Sequence, residues 1–245
     1  MAGVIWTEQE TRLAMRLYFM LPFGKLHSRN PDIMALAARI GRTASAVSMK
    51  LVNFASLDPA LTARGRRGLG NCSRLDRQVW AMFQSDWTMA IAEDEPADSA
   101  DEPVVHRATE TSVTTVARLG QGFFRRAVLA NFEQACCVTG IAEPSLLIAS
   151  HIVPWAKDAA IRLNPRNGLA LSATLDRAFD AGLISVSQRR TVIVSRRLSD
   201  HTGPATSSYF HALAGRALAV PRKLDLDDGL LARHRDWATS QHPYG

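Results

Sequence analysis

Between Glu93 and Ser112 the chain is rich in Ala, Pro, Ser and Thr and poor in large apolar side chains, and residues 93–102 read EDEPADSADE, six acids and no base. A segment of this kind has too little apolar surface to offset the entropy of ordering it, and its like charges repel and extend it. A chain of 245 residues interrupted in this way is expected to build two cores rather than one. We therefore expect a helical domain over 1–92, an acidic flexible linker over 93–116 and a second domain over 117–245.

The linker also divides the charge. Residues 1–92 hold 12 Lys+Arg against 6 Asp+Glu and residues 103–245 hold 17 against 11, so each flank is basic on its own. Basic flanks suit a polyanion partner, although solubility alone is the plainer reading. No apolar run approaches the length that crosses a bilayer, so no membrane partner is expected. The opening MAGVIWTEQE lacks the basic start and apolar stretch of a secretory signal, which makes the cytoplasm the expected location. Three cysteines, Cys72, Cys136 and Cys137, form no CxxC pair, so neither a disulfide framework nor a structural zinc site is expected.

Before the linker the pattern is helical. Thr7 with Glu10 three residues on makes a capping box, after which Leu13, Leu17, Met20 and Leu21 share a face. Asn30-Pro31 opens a second helix carrying Ile33, Leu36, Ala37 and Ile40, which Gly41 ends. Thr43 starts a third, with Ala46, Val47, Met49 and Leu51 as its apolar set, and a last helical stretch runs over 73–87. The segment PDIMALAARIGRTASAVSMKLVNF resembles the helix-turn-helix of Myb-like DNA-binding domains, and WTEQE at 6–10 is similar to the start of that fold. The resemblance implies a recognition helix in a major groove, with Thr43, Ser45, Ser48 and Lys50 contacting DNA and Arg42 reaching a phosphate. An ordinary three-helix bundle with a solvated polar face is the alternative.

After the linker, a helix is expected from Leu119 to Ala135, with Phe123, Phe124, Val128, Leu129 and Phe132 as its apolar set. An apolar strand over 146–150 ends at His151; a loop with Pro154 and Pro165 leads to Asn167-Gly168, a short strand over 169–171 and a helix over 172–181 closed by Gly182. LISVS and TVIVS then form a hairpin around 188–190, and 209–241 reads as two helices. Alone, a histidine closing a strand is structural and Asn-Gly is a turn. Together they fall in the spacing His-x15-Asn-x8-Asp, with Asp176 inside the helix.

That order and spacing, with the phrases SHIVPW, NPRNGLAL and LDRAFDAGLI, resemble the HNH endonuclease superfamily, particularly a bacterial restriction-type group. The resemblance covers about residues 118–240, with its catalytic core at 136–187. It implies a ββα-metal fold, and hence an α+β chain: a helical, helix-turn-helix-like N-terminal domain followed by an HNH nuclease domain. It implies a catalytic pair, His151 as general base and Asn167 tethering the loop or orienting His151. It implies Asp176 as ligand to a divalent metal, Mg2+ or Mn2+.

Two positions depart from the family pattern. The third motif residue is often His and here is Asp176, and many relatives carry Asp before the motif histidine where this chain has Ser150. Asp180, one turn after Asp176, is the candidate to complete the metal site, with a backbone hydrogen bond near the hairpin as its other reading. Arg125, Arg126, Arg162 and Arg166 are the candidate phosphate contacts of this half.

The function expected is hydrolysis of phosphodiester bonds in double-stranded DNA, in restriction or defence, with a homodimer as an open expectation. The rival is a non-catalytic DNA-binding regulator on a degenerate HNH fold. An RNA-directed nuclease is a third reading.

Overall fold

The computed structural model describes residues 5–63, 65, 68–90, 112–200 and 203–244, with side chains described throughout these ranges except at 89–90, 112–118 and 199–200. The linker expected at 93–116 thus lies outside the described residues up to position 111, and helix begins at Ser112, seven residues before the expected Leu119.

Among the described residues, five α-helices precede the linker: α1 (Glu8–Met20), α2 (Pro31–Arg39), α3 (Ala44–Phe54), the short α4 (Pro59–Thr62) and α5 (Arg74–Ser85). The start signals act as the sequence expects. Thr7 and Glu10 close a reciprocal capping box, Asn30 caps Asp32 N–H with Pro31 at the first helical position, and Thr43 accepts from Ala46 N–H. Gly41 takes φ +66° between α2 and α3, a left-handed conformation that a side chain would strain. Met49, expected among the apolar contacts of α3, is 58% exposed. The helical core is strongly aromatic: Phe19 lies 5.9 Å from Phe83 and 5.0 Å from Trp87, ring centre to ring centre.

The second half begins with α6 (Ser112–Asn131), followed by β1 (Leu147–His151), β2 (Gly168–Ser172) and α7 (Ala173–Asp180). β1 and β2 pair antiparallel with Leu147 opposite Ser172 and His151 opposite Gly168, and α7 packs on both strands. The hairpin β3 (Ile184–Val186) and β4 (Val192–Val194) follows, with Arg190 at φ 58° in its turn. Then come α8 (Arg196–Asp200), α9 (Pro204–His211) and α10 (Asp228–Gln241). Of the two helices expected over 209–241, the first is α9, which starts earlier at Pro204 and ends at His211, and the second is α10; between them the chain runs along α6 and the hairpin through a bridge of Ala217 to Thr191 and bends at 222–224. Asn131 at the end of α6 holds that run: its Oδ1 accepts from Lys223 N–H at 2.8 Å and its Nδ2 donates to Leu224 O at 2.7 Å.

Helix α6 is apolar on two faces, the mark of a helix buried on both sides. Phe124, Val128 and Leu129 join the core around β1, β2 and α7, whereas Phe123 and Ala127 join the aromatic core of the N-terminal helices, as do Leu163 and Leu224. Trp87 and Phe123 stack at 6.3 Å. Lys223 adds a polar tie across this contact. Its buried ammonium donates to Tyr18 O and, at 2.6 Å, to Leu21 O at the end of α1, and lies 3.7 Å from the Tyr18 ring centre. Two cores thus share α6 as a common wall.

Candidate active site

His151 is the last residue of β1, and three neighbours fix its ring. Phe124 from α6 lies parallel to it at 3.8 Å between ring centres, with the planes 6° apart. Trp155 meets it edge-on at 5.6 Å. Nε2 sits 3.0 Å from the carbonyl oxygen of Arg162. A carbonyl only accepts, so Nε2 carries the proton and the neutral ring keeps its lone pair on Nδ1. Burial lowers the pKa of His151 below its ordinary value; the Arg162 hydrogen bond and the nearby Asp176 charge oppose this without reversing it. The neutral, basic form is therefore favoured.

The Phe124 contact depends on the residue across the ladder. Gly168 is extended rather than left-handed, and the space its side chain would occupy is taken by Phe124 and Val128; a Cβ there would come within 2.9 Å of Phe124 Cζ. Gly168 is glycine so that α6 can approach β2 closely enough to lay Phe124 on His151.

Asn167, fully buried, serves the loop that follows His151. Its Oδ1 accepts from Val153 N–H at 2.8 Å, its Nδ2 donates to Val153 O at 3.1 Å, and its own carbonyl accepts from Ile152 N–H at 2.9 Å. Of the two roles expected for it, loop tether and partner of His151, the hydrogen bonds are those of the tether.

Asp176, in the first turn of α7, is 7% exposed, and among the described residues no hydrogen bond or ion pair engages its carboxylate. It lies close enough to His151 to act on it electrostatically and, one turn later, on Asp180. Asp180 is exposed, its pKa raised first by desolvation and then by repulsion from Asp176, and no backbone hydrogen bond near the hairpin forms to it among the described residues. Ser150 is 2% exposed, and its Oγ has no hydrogen-bond partner among the described residues.

This assembly, strand-end histidine, tethering asparagine and helical aspartate on a strand pair and helix, lies within residues 136–187, which match the HNH endonuclease family. By this match the segment is similar to HNH endonucleases. No curated protein matches the chain.

Within and beside the HNH domain, the four arginines divide. Arg125 donates to Leu147 O at 2.9 Å and to Pro144 O at 3.3 Å, pinning the entry to β1, and Arg126 pairs with Asp32 on α2 at 2.9 Å. Arg162 lies over Trp155 at 5.1 Å and Arg166 is half-buried, the buried Nε of each lacking a hydrogen-bond partner. These two flank Leu163 to Pro165 on the loop whose Arg162 carbonyl meets His151.

The helix-turn-helix candidates outside the HNH domain turn out differently. Lys50, the one basic residue of α3, is 7% exposed and paired with Asp76 at 2.8 Å. Ser48 donates to Leu26 O. Arg42 binds Glu10 through Nε at 3.0 Å and Nη2 at 2.8 Å and covers the Trp6 ring at 4.2 Å, and this guanidinium chiefly holds the Glu10 carboxyl below its usual range. Those three side chains face the fold and not a groove, which corrects the expectation for them. Thr43 and Ser45 are exposed. Their sequence offered no warning, since the partners Glu10 and Asp76 are distant in the chain.

Phe124, Gly168 and Trp155 shape the site without belonging to the spaced motif. In the sequence Phe124 is legible only as an apolar residue of a helix, and Gly168 as half of a turn dipeptide. Among the described residues no group of three His, Cys, Asp or Glu is arranged to hold a metal ion. No helix among them is long and apolar enough to cross a membrane.

Proposed function

We propose that the protein is a metal-dependent endonuclease that hydrolyses phosphodiester bonds of double-stranded DNA, with His151 as general base. The observation that carries this reading is the Nε2–H···O hydrogen bond to Arg162, which leaves Nδ1 basic on a ring clamped between Phe124 and Trp155 and held neutral by burial. In the reaction, Nδ1 takes the proton of the attacking water, a contribution of about a hundred- to ten-thousand-fold. Asn167 keeps the loop over His151 in register, and Arg162 and Arg166 hold the phosphate flanks.

The family typically uses a divalent cation. A nearly buried carboxylate with no protein partner, Asp176, beside a second carboxylate, Asp180, fits a hard cation that keeps most of its coordination from water and substrate oxygens. Such an ion, held by Asp176 with Asp180 as the second candidate, supplies charge relief on the leaving oxygen. The role in the cell that accompanies this reading is restriction or defence against foreign DNA.

Nicking of supercoiled plasmid with magnesium or manganese, abolished by chelator and by His151→Ala in a folded protein, tests the proposal. A folded protein that binds DNA but never cuts it, across a metal series, would assign the chain instead to a non-catalytic regulator, a reading favoured by the incomplete set of protein metal ligands.

A further inference from the structure

The loop that carries His151 has a second side. Residues Ile152, Val153 and Pro154 form one wall of a cavity of about 270 Å³, and His234 and Trp237 of α10 form the other. The walls are apolar. His234 lies parallel to Phe179 at 3.6 Å, shares a hydrogen bond with Ser185 and is neutral, its pKa pushed down to about 4 by burial. Trp237 meets His234 edge-on at 5.3 Å and is 41% exposed, unusual for the largest apolar side chain. Two cations complete the lining: Lys157, exposed, and Arg233, which shares only an exposed 3.4 Å contact with Asp158.

We propose that this cavity seats one unstacked nucleobase of the DNA, next to the phosphodiester that is cut. The inference rests on the nuclease reading above. An exposed indole over an apolar hollow suits the π-face of a base, and two cations suit the phosphates on either side of it. Charge complementarity argues against an apolar peptide side chain as occupant, which would leave both cations without a role. Val153 is two residues from His151, at most about 7 Å along the chain, so the hollow lies within reach of a nucleotide adjoining the cut phosphate.

The wall of Ile152, Val153 and Pro154 does not discriminate among bases. The N–H of Ile152 and both backbone polar groups of Val153 are already bound by Asn167, and Pro154 has no N–H, so this wall has no donor for the edge of a base. Because Asn167 ties the wall to the catalytic loop, a base in the cavity also braces His151.

The test uses the full chain carrying His151→Ala, which binds without cutting, and labelled duplexes with 2-aminopurine placed in turn at each position. One position should change its emission on binding. Adding Trp237→Ala should abolish that change and weaken affinity about 5- to 150-fold, with Trp237→Phe restoring both. Lys157→Gln and Arg233→Gln should each lower the salt dependence of binding by about one unit of slope while leaving the position of the emission change unmoved. An emission profile and affinity unaltered by Trp237→Ala, in protein whose circular dichroism matches the parent, would overturn the seat and leave the nuclease reading standing. A parent that does not bind DNA would overturn both.

Discussion

Asn167 binds both backbone polar groups of Val153 with one side-chain amide, accepting from its N–H at 2.8 Å and donating to its carbonyl at 3.1 Å, as a neighbouring strand would. The loop after His151 thereby gains a sheet-like anchor without a sheet. Asn167→Ala removes the anchor and leaves two buried backbone groups unpaired, at about 1–3 kcal/mol each. We expect a lower midpoint in urea and nicking reduced at least tenfold. Asn167→Asp, which keeps the acceptor and loses the donor, should fall between. Wild-type stability in Asn167→Ala would show that the loop is held elsewhere.

Gly168 sits opposite His151 in the ladder, and its missing side chain makes room for Val128 and, beside it, Phe124. Gly168→Ala forces α6 away from β2, an overpacking cost of about 1–3 kcal/mol. Pairing it with Val128→Ala, which removes the nearest clash, should recover part of the stability, whereas Phe124→Leu alone should lower activity because the ring that holds His151 is gone. Thermal unfolding and nicking on the single and double variants check this; full activity in Gly168→Ala would refute it.

His151 is predicted to act as a neutral base, and burial lowers its pKa. The base form is lost only as pH falls through that lowered value, so the acid limb of the kcat profile should lie below the ordinary histidine value of about 6.5. His151→Ala should remove the limb together with the activity while DNA affinity persists. An acid limb above neutrality would mean that another group supplies the base.

Among the described residues Asp176 has no hydrogen-bond or ion-pair partner, and the Asp180 pKa is raised first by desolvation and then by the Asp176 charge. Asp176→Ala should abolish divalent-cation binding by calorimetry together with nicking, and it should let Asp180 titrate at lower pH. Asp176→His should move the metal preference toward manganese, nickel or cobalt. Unchanged cation affinity in Asp176→Ala would place the ligands elsewhere, Asp180 first.

Lys223 ties the run before α10 to the end of α1, with a pKa lowered to about 7 by burial, Asp58 partly opposing. Unfolding returns it to an ordinary 10.5, so between those values the unfolded chain holds a proton that the folded chain releases. Stability should therefore rise with pH from about 7 toward 10.5. The amine that remains keeps two N–H donors for the carbonyls of Tyr18 and Leu21. Urea unfolding at both ends of this window should show the rise in the parent and its loss in Lys223→Met; equal slopes would refute the assignment.

What the sequence determined by itself is local or carried by spacing. Thr7 with Glu10, Asn30 with Pro31, and Thr43 start helices because a cap needs only residues within one turn. The separation of His151, Asn167 and Asp176 identified the HNH segment because a strand, a loop and a helix of set lengths must deliver those side chains to one place. The tertiary structure decided everything that depends on a distant partner. Lys50 and Arg42 look like DNA contacts until Asp76 and Glu10, far along the chain, draw them inward. Gly168 reads as a turn until Val128 and Phe124 arrive from α6, and Lys223 is buried only because the end of α1 packs over it. Side chains of the same type are solvated or buried according to what packs over them, and packing across long loops leaves no periodicity in the sequence to read.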